Sequence, residues 1–372
     1  MEENNMKFSC EKTALLAGVS IAAKAASSKS PIPALEGILI ETGLDSVKLT
    51  GYDLKKAIYT KAEAKVFENG SIVLGARIFG DIVRSLPDGT VTVKAEGMNV
   101  TITCENSEFS IIGSDAADYP ELPSIDSVAG VSLPQGLLSE MIRQTIFAVS
   151  DNESRPVYTG ELFEIGGGEL TVVSVDGYRL ALRKEKVEGA GEDCSFIVPG
   201  TALSDLEKLC SATDDMVSIA LGSKHISFTI GDTVLLSRRL EREFLNYKKI
   251  VPATFNVEVT AERTVLQRTV ERVSLIIDDK IKNPLRCIFG SDEIRIACAT
   301  SLGKAEDSCA VDGVGGDLEI GFNNRYLLDA LKAAPADELK ICLNTGSSPC
   351  IILPCEGDGF LYMILPVRLK AE

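Results

Sequence analysis

The stretch GARIFGDIVRSLP, Gly75–Pro87, follows the short apolar run SIVL and spaces its aliphatic residues as an amphipathic helix does, around one aspartate. The pattern returns in PGTALSDLEKLC from Pro199, after SFIV, and in GFNNRYLLDALKAAP from Gly321, after LEI. The three aspartates, Asp81, Asp205 and Asp329, stand at equal intervals of 124 residues, one third of the 372-residue chain. Equal spacing of three similar helices predicts a threefold internal repeat.

The similarity extends on both sides of these helices. Each is preceded by another amphipathic stretch, EKTALLAGVSIAAKAA, PQGLLSEMIRQTIFAVS or AERTVLQRTVERVSLII, and by β-type runs such as ELFEIGGGELTVVS. Alternating runs punctuated by Asn, Gly and Ser follow each helix, as in hairpins. Each third therefore reads helix, strands, helix, strands. This order predicts an α+β fold of three tandem domains, residues 6–126, 131–252 and 253–372, each with antiparallel strands packed on two helices.

Composition narrows the function classes. With 45% hydrophobic and 25% charged residues, the chain is typical of a globular protein. The net charge of −16 repels nucleic acid and anionic membranes, which argues against a conventional tight DNA binder but leaves room for a local basic surface. The ten cysteines form no C-x-x-C pair, so we interpret them as small buried hydrophobes in a reducing cytoplasm.

The apolar stretch Ala14–Ala26 resembles the core of a signal peptide. The residues before it carry Glu2, Glu3 and Glu11 against Lys7 and Lys12, whereas a signal peptide begins with positive charge. We therefore expect an amphipathic first helix. No run reaches the roughly 18 apolar residues of a membrane span, so no membrane partner is expected.

Catalytic chemistry has little support in the sequence. The one histidine, His225, lies in the hairpin-like GSKHISF, where a solvated or structural role is favoured over general base catalysis. The triplet Gly166–Gly168 lacks a following helix and a Lys-Ser/Thr pair, so it predicts a hairpin turn and not a phosphate loop. Asp278 and Asp279 lack further ligands nearby, which favours a solvated loop over a metal site. We expect no catalytic residue, metal or cofactor.

Every predicted helix carries a base although the protein is acidic. These bases are Lys24 with the nearby Lys29, Arg77, Arg84, Arg143, Lys208, Arg263, Arg268, Arg272, Arg325 and Lys332. If the helices line one side, that side is less negative than the rest. Taken alone, the pattern favours ordinary solvated faces.

The stretch SVDGYRLAL, Ser174–Leu182, places a tight Asp-Gly turn before an aromatic, a guanidinium and an aliphatic side chain. The equivalent segments are LTGYDLKKAI in the first third and CATSLGKAED in the last, so GYRL occurs only in the middle. Such a mixture is typical of either an ordinary hairpin or a surface that a partner contacts.

Several stretches taken together resemble the β subunit of bacterial DNA polymerase III, the sliding-clamp family. They are MKFSCEKTALLAGVSIAAKAASSKSPIPALEGILIE, DAADYPELP, SVDGYRLAL, FIVPGTALSDLEKL, FLNYKKIVP and YMILPVRL, in order from Met6 to Leu369. The resemblance implies three similar domains per chain and a head-to-tail homodimeric ring, with helices lining the hole. Such a ring holds duplex DNA by topology, so its lining needs only weak, sequence-independent phosphate contacts.

The resemblance also implies site residues. A pocket for short motifs of the polymerase α subunit, the clamp loader and other replication or repair proteins would use Tyr158, Val175, Gly177, Tyr178, Arg179, Leu180, Pro252, Met363, Leu365, Pro366, Val367 and Arg368. Apolar walls would anchor the partner, and arginines at the rim would orient it. Pro366 predicts that the last strand lies at an edge or ends irregularly.

DNA-facing positions and the ring contact are implied in the same way. The DNA-facing set is Lys29, Arg77, Arg84, Arg143, Asn152, Lys208, Arg268 and Lys332, with Asn152 in a loop that also holds Asp151 and Glu153. Ring closure would use Leu275 and Ile276 at the end of a helix, facing strands of the first domain of the partner.

Four departures from the family pattern stand out. Arg242 stands at a usual glycine, Val175 removes a pocket hydroxyl, Tyr158 enlarges a usual aliphatic residue, and Met1–Asn5 is an extension expected to be disordered. The sequence thus predicts a non-enzymatic processivity clamp. The alternatives are a repeat-built adaptor that only gathers proteins and, more remotely, an enzyme with a dispersed site.

Overall fold

The computed structural model describes residues 5–125, 129–187, 193–278 and 283–369. Asp279 and residues 1–4 of the N-terminal extension lie outside this part. Asn5 begins a strand and pairs with Glu96, so the disorder expected for the extension is wrong at Asn5.

Three repeats of strands and helices follow one another along the chain. The first contains β1 (Asn5–Glu11), α1 (Lys12–Ala22), β2 (Gly37–Thr42), β3 (Ser46–Tyr52), β4 (Lys56–Glu63), β5 (Lys65–Glu68), β6 (Ser71–Gly75), α2 (Ala76–Ser85), β7 (Thr90–Glu96), β8 (Asn99–Cys104) and β9 (Ser107–Ile112). The second contains β10 (Ala129–Pro134), α3 (Gln135–Thr145), β11 (Gly160–Gly166), β12 (Glu169–Val175), β13 (Arg179–Lys186), β14 (Cys194–Pro199), α4 (Gly200–Leu209), β15 (Met216–Leu221), β16 (His225–Ile230) and β17 (Thr233–Arg238). The third contains β18 (Val257–Glu262), α5 (Arg263–Ser274), β19 (Leu285–Phe289), β20 (Glu293–Thr300), β21 (Gly303–Ala310), β22 (Asp312–Val314), β23 (Leu318–Phe322), α6 (Asn324–Ala333), β24 (Glu338–Leu343), β25 (Cys350–Pro354) and β26 (Phe360–Ile364).

The threefold α+β repeat predicted from the spacing of Asp81, Asp205 and Asp329 is thus confirmed, with one addition. Each repeat begins with a strand, β1, β10 or β18, before its first helix. In β1 the side chains alternate between buried and more accessible along NMKFSCE, as one face of a sheet requires. The sequence reading passed over these strands because each lies directly against a helical pattern.

Within the described residues, the strands form four antiparallel sheets. Their spatial orders are β5-β1-β7-β8-β9, β10-β15-β16-β17-β4-β3-β2-β6, β14-β11-β12-β13-β26-β25-β24-β18-β22 and β21-β20-β19-β23. Two of the sheets continue from one repeat into the next. In the eight-stranded sheet β4 pairs with β17, and in the nine-stranded sheet β13 pairs with β26.

These shared sheets divide the chain into two compact units that cut through the middle repeat. One unit is built from the chain up to Gly136 and from Lys208–Arg239, and the other from Leu137–Glu207 and the chain from Leu240 onward. The domain bounds drawn from the sequence, 6–126, 131–252 and 253–372, therefore stay a prediction about the repeat.

Each unit packs helices onto its sheets through one apolar face per helix. In the first unit, α2 buries Phe79, Ile82 and Val83 among the strands, while Asp81 and Arg84 on its opposite side are exposed. In the second unit, α5 and α6 bury Leu266 and Leu331 in the same way. Burying one such side chain contributes roughly 1.5–3 kcal/mol, so packing and not helix propensity holds these short helices.

Ala14–Ala26 forms most of α1 and a short 3₁₀ turn after it, with Leu15, Val19 and Ala22 buried, as an amphipathic helix predicts. No helix in the described ranges is long and apolar enough to cross a membrane. All ten cysteines are free thiols; Cys194 and Cys210 are half-buried and Cys355 is exposed, so the expectation of burial holds for the other seven.

Candidate functional site

A tight turn joins β12 to β13 in the second unit, at the Asp-Gly pair. The Asp176 carboxylate accepts hydrogen bonds from the backbone amides of Tyr178 (2.8 Å) and Arg179 (3.0 Å). Gly177 takes a φ of +95°, which a residue with a Cβ adopts only at a cost. The aspartate therefore closes the turn, and the glycine permits it.

Behind this turn, the face of the nine-stranded sheet away from the helices carries an apolar cluster, which we call the outer-face cluster. Its buried members are Leu162, Val173, Val175, Leu180, Leu182, Ile197, Tyr247, Cys342, Ile351 and Met363. Tyr158 is partly buried against it and packs edge to face on Phe244, with ring centroids 5.9 Å apart. The structure thus brings together four predicted pocket residues, Tyr158, Val175, Leu180 and Met363.

The C-terminal segment runs from β26 past the turn. The Leu365 amide donates to the Tyr178 carbonyl (2.8 Å), and the Val367 amide donates to the Gly321 carbonyl (2.8 Å). Gly321 allows this approach, since a Cβ there would meet the Val367 oxygen at 2.4 Å. Because β26 lies between β13 and β25, Pro366 follows the end of a central strand and does not lie in an edge strand. Val367 and Arg368 are exposed beside the turn.

Tyr178 stands at the edge of this surface. Its side chain is 62% exposed, and its ring stacks on Tyr326 of α6 with a centroid distance of 6.2 Å. An exposed tyrosine held on one side by another ring offers a partner both apolar area and a hydroxyl.

Arg179 does not form a free rim. Its Nε donates to Asp176 (3.0 Å), and its Nη1 donates to Asp329 of α6 (2.5 Å). The guanidinium also lies over the ring of Tyr326, 4.5 Å from the centroid. Only 12% of the side chain is exposed, so Arg368 and not Arg179 supplies the accessible guanidinium.

A second wall comes from the segment Leu240–Pro252, most of which the sequence reading missed. Leu240, Phe244 and Leu245 pack against the outer-face cluster, and Tyr247 is buried in it. Pro252 is half-buried but not a member of the cluster, whereas Ile250 is 37% exposed. The signal was the recurrence of apolar residues between charges in EREFLNYKKI.

One hydrogen bond fixes this segment to the sheet. The Tyr247 hydroxyl donates to a Glu164 carboxylate oxygen at 2.5 Å. Burial is the main cause that raises the pKa of Tyr247 well above its usual range, and the hydrogen bond to Glu164 raises it further. Arg242, at a usual glycine position, is exposed and does not have a positive φ, so the substitution needs no strained backbone.

The predicted DNA-facing residues are all exposed, but several have acidic neighbours. On the first unit these residues are Lys29, Arg77, Arg84 and Lys208, and on the second they are Arg143, Asn152, Arg268 and Lys332. Ion pairs join Arg84 to Asp81 (2.9 Å), Arg143 to Glu140 (3.9 Å) and Lys332 to Glu271 (3.6 Å). Asn152 accepts a bond from the Ser154 amide within its own loop. These surfaces are therefore only weakly basic.

The two predicted ring-contact residues differ in exposure. Leu275, directly after α5, is 82% exposed, whereas Ile276 packs partly into the core of the second unit. Among the strands that end a sheet, β9 of the five-stranded sheet and β21 of the four-stranded sheet have mostly exposed side chains. Ile112 at the end of β9 is 80% exposed.

The described residues contain no group of three or more His, Cys, Asp or Glu side chains that could hold a metal ion. Gly167 and Gly168 have positive φ between β11 and β12, so the glycine triplet forms the predicted hairpin turn. His225 begins β16, and Asp278 is exposed.

Comparisons with known proteins cover nearly the whole chain. Three family models match in order: the N-terminal domain of the DNA polymerase III beta subunit at residues 6–123, its central domain at 132–246 and its C-terminal domain at 248–368. The beta sliding clamp of Synechocystis sp. is 34% identical over 98% of this chain and all of its own length. That of Halalkalibacterium halodurans is 31% identical over the same shares.

Solved structures agree with this. The DNA polymerase sliding clamp from Bacillus subtilis superposes with a TM-score of 0.94 at 30% identity, over 98% of this chain and all of that one. The sliding clamp from Pseudomonas aeruginosa bound to griselimycin superposes with a TM-score of 0.92 at 27% identity, with the same coverage.

Proposed function

We propose, because this chain belongs to the DNA polymerase III beta subunit family, that it is a DNA sliding clamp: a processivity factor that encircles duplex DNA and tethers the replicative polymerase. The observation that carries this is the order of the three family domains along residues 6–368, where the structure has its three repeats. The domain bounds that we propose remain 6–126, 131–252 and 253–372.

A ring requires the chain to associate with itself. We propose a head-to-tail homodimer in which β9 of one protomer pairs with β21 of its partner, since both strands end a sheet and open edges are templates for pairing. Leu275 would be buried by this contact, with Ile276 supporting it. Two such contacts related by a twofold axis close the ring.

The ring would hold DNA by topology. The exposed lysine and arginine side chains on the helices and loops would bind phosphates weakly, because several of them form ion pairs with Asp81, Glu140 or Glu271. Weak phosphate contacts carry no sequence information and little salt-dependent affinity, so the ring can slide.

The outer-face cluster and the C-terminal segment support the assignment of one partner pocket. Aliphatic and aromatic walls would take the apolar side chains of a short partner motif, with Tyr178 and Arg368 at the rim. The polymerase α subunit, the clamp loader and other clamp-motif proteins would compete for this pocket. The clamp itself would catalyse no reaction, need no cofactor and act in the cytoplasm.

Retention on two DNA topologies tests the proposed function. The protein and an active clamp loader with ATP are mixed with nicked circular DNA, half of which is then linearised. We expect retention on circles and loss from free ends. Equal retention on both would mean ordinary DNA binding, and no retention on either would favour the adaptor that gathers proteins without encircling DNA.

A further inference from the structure

Side chains of the turn at the rim of the pocket contact helix α6. Arg179 pairs with Asp329 (2.5 Å), and Tyr178 stacks on Tyr326 at 6.2 Å. Tyr326 and Asp329 are three residues apart on α6 and therefore share one face of the helix. Neighbouring residues of the turn thus engage neighbouring side chains of the helix.

Arg179 is committed to these contacts. Its guanidinium donates to Asp176 and Asp329 and lies over the Tyr326 ring, with 12% of the side chain exposed. A charge this enclosed is stabilised only while its partners remain, because removing one leaves it uncompensated. It has little surface to offer an incoming peptide.

The β12–β13 turn also binds the C-terminal segment through a backbone hydrogen bond. The Tyr178 carbonyl accepts the Leu365 amide, so the exposed residues Val367 and Arg368 follow a backbone that is anchored on the turn. Displacing the turn from α6 would therefore move Tyr178 and remove one of the two backbone anchors of the C-terminal segment, the other being the bond from the Val367 amide to the Gly321 carbonyl.

We propose that Asp329 and Tyr326, acting through Arg179 and Tyr178, are positioning residues of the partner pocket. They hold the rim in its binding geometry and do not touch the partner. The inference rests on the proposed function, since it concerns the same pocket. Because the rim is already ordered in the free protein, binding loses less conformational entropy there. The affinity is therefore higher without any new contact to the partner.

Griselimycin is bound in the structure of a related Pseudomonas aeruginosa clamp, and we take it as the probe of the proposed partner pocket, so its binding by calorimetric titration tests the positioning role. Asp329→Asn and Arg179→Lys should each weaken binding about tenfold, the loss of roughly one charged hydrogen bond. The double variant should bind no worse than either single one, because both remove the same tie. Asp329→Glu should recover most of the affinity.

Asp81→Asn is the matched control. Asp81 holds the equivalent place in the first repeat, but it pairs with Arg84 on its own helix at an exposed site. Its replacement should leave griselimycin affinity unchanged. If Arg179→Lys weakens binding while Asp329→Asn does not, Arg179 touches the ligand and the proposal fails. It also fails if both variants bind as the unmodified protein does.

A second measurement needs no ligand. Hydrogen–deuterium exchange at the amides of residues 176–180 should rise at least severalfold in Asp329→Asn and stay unchanged in Asp81→Asn. Unaltered exchange in Asp329→Asn would overturn the positioning role. Should griselimycin fail to bind the unmodified protein, the pocket assignment would be at fault, while exchange would still decide the positioning role.

Discussion

Two turns in this molecule are built alike and differ in what they present. One joins β3 to β4 in the first repeat, and the other joins β12 to β13 in the second. Asp53 accepts bonds from the amides of Lys55 (2.9 Å) and Lys56 (2.7 Å), as Asp176 does from the amides two and three residues after it. In both, the strand after the turn continues its sheet into the next repeat.

The differences lie in a few side chains. Leu54 takes a φ of +70° where the second turn has Gly177, and an exposed Lys55 stands where the second turn has Tyr178. The capping aspartate is thus sufficient for the turn, while its neighbours decide whether the surface suits a partner.

The strands beside the turns show a second difference. GILIET in β2 and GELFEI in β11 match position by position, so Ile38 corresponds to Glu161. Both side chains are fully buried, but neither carboxylate oxygen of Glu161 has a hydrogen-bond partner. Burial raises the pKa of Glu161 to about 8, whereas the nearby Thr145 hydroxyl, which donates to the Met141 carbonyl, acts in the opposite direction.

The largest effect on the unfolding free energy should come from the buried carboxyl group of Glu161. Folded Glu161 keeps its proton up to about pH 8, whereas unfolded Glu161 loses it near 4.5, so the unfolding free energy should fall between these pH values. At about 1.4 kcal/mol per pKa unit, the loss is at most about 5 kcal/mol. Glu161→Gln should flatten this part of the curve, measured by urea unfolding from pH 4.5 to 9. An unchanged slope would mean that the carboxyl is ionised when folded.

Next in size is a pair of truncations at the shared sheets. Met363→Ala and Leu236→Ala each empty a buried site beside a turn and should each cost about 2–5 kcal/mol of unfolding free energy. Only Met363→Ala should also weaken griselimycin binding, because Leu236 belongs to the apolar cluster of the first unit. Equal loss of binding in both variants would argue for a general effect on folding.

Exchanging the turn residues should have a smaller effect. Gly177→Leu forces a side chain to a φ of +95° and should destabilise the protein by roughly 1–2 kcal/mol. Leu54→Gly relieves the same strain and should stabilise it by up to about 1 kcal/mol, measured by thermal unfolding. Changes of the same sign in the two variants would show that φ is not the deciding term.

Tyr178→Lys, which copies Lys55, should change stability least. The side chain is 62% exposed, so the change in unfolding free energy should stay within about 0.5 kcal/mol. Griselimycin affinity should fall about tenfold, because an aromatic wall and its stack on Tyr326 are lost. Lys55→Tyr is the control and should leave binding as it was.

The repeat and most of its elements could be predicted because they depend on local pattern. The amino-acid sequence itself shows the equal spacing of Asp81, Asp205 and Asp329 and the amphipathic stretches around them. The leading strands β1, β10 and β18 escaped because a short strand is recognised mainly by its pairing partners.

Within the candidate site, the pocket residues came from resemblance, which placed them in order along the chain, and their role as a pocket stays a prediction. Val175, Leu180 and Met363 do meet in one cluster. The wall made by Phe244 and Tyr247 was missed, since apolar residues between charges in EREFLNYKKI do not by themselves show that an irregular segment folds over a sheet.

The sequence by itself determined the three repeats, the Asp-Gly turn and the aromatic, basic and aliphatic side chains that follow this turn. Hydrophobic periodicity and turn chemistry act over a few residues, so they can be recognised without the fold. Only the tertiary structure decided that Arg179 is enclosed between Asp176 and Asp329, and that Glu161 is buried without a partner. These facts depend on contacts across about 150 residues or across a whole sheet. Whether a charge meets a partner or loses its water is settled by packing, and packing is a property of the folded chain.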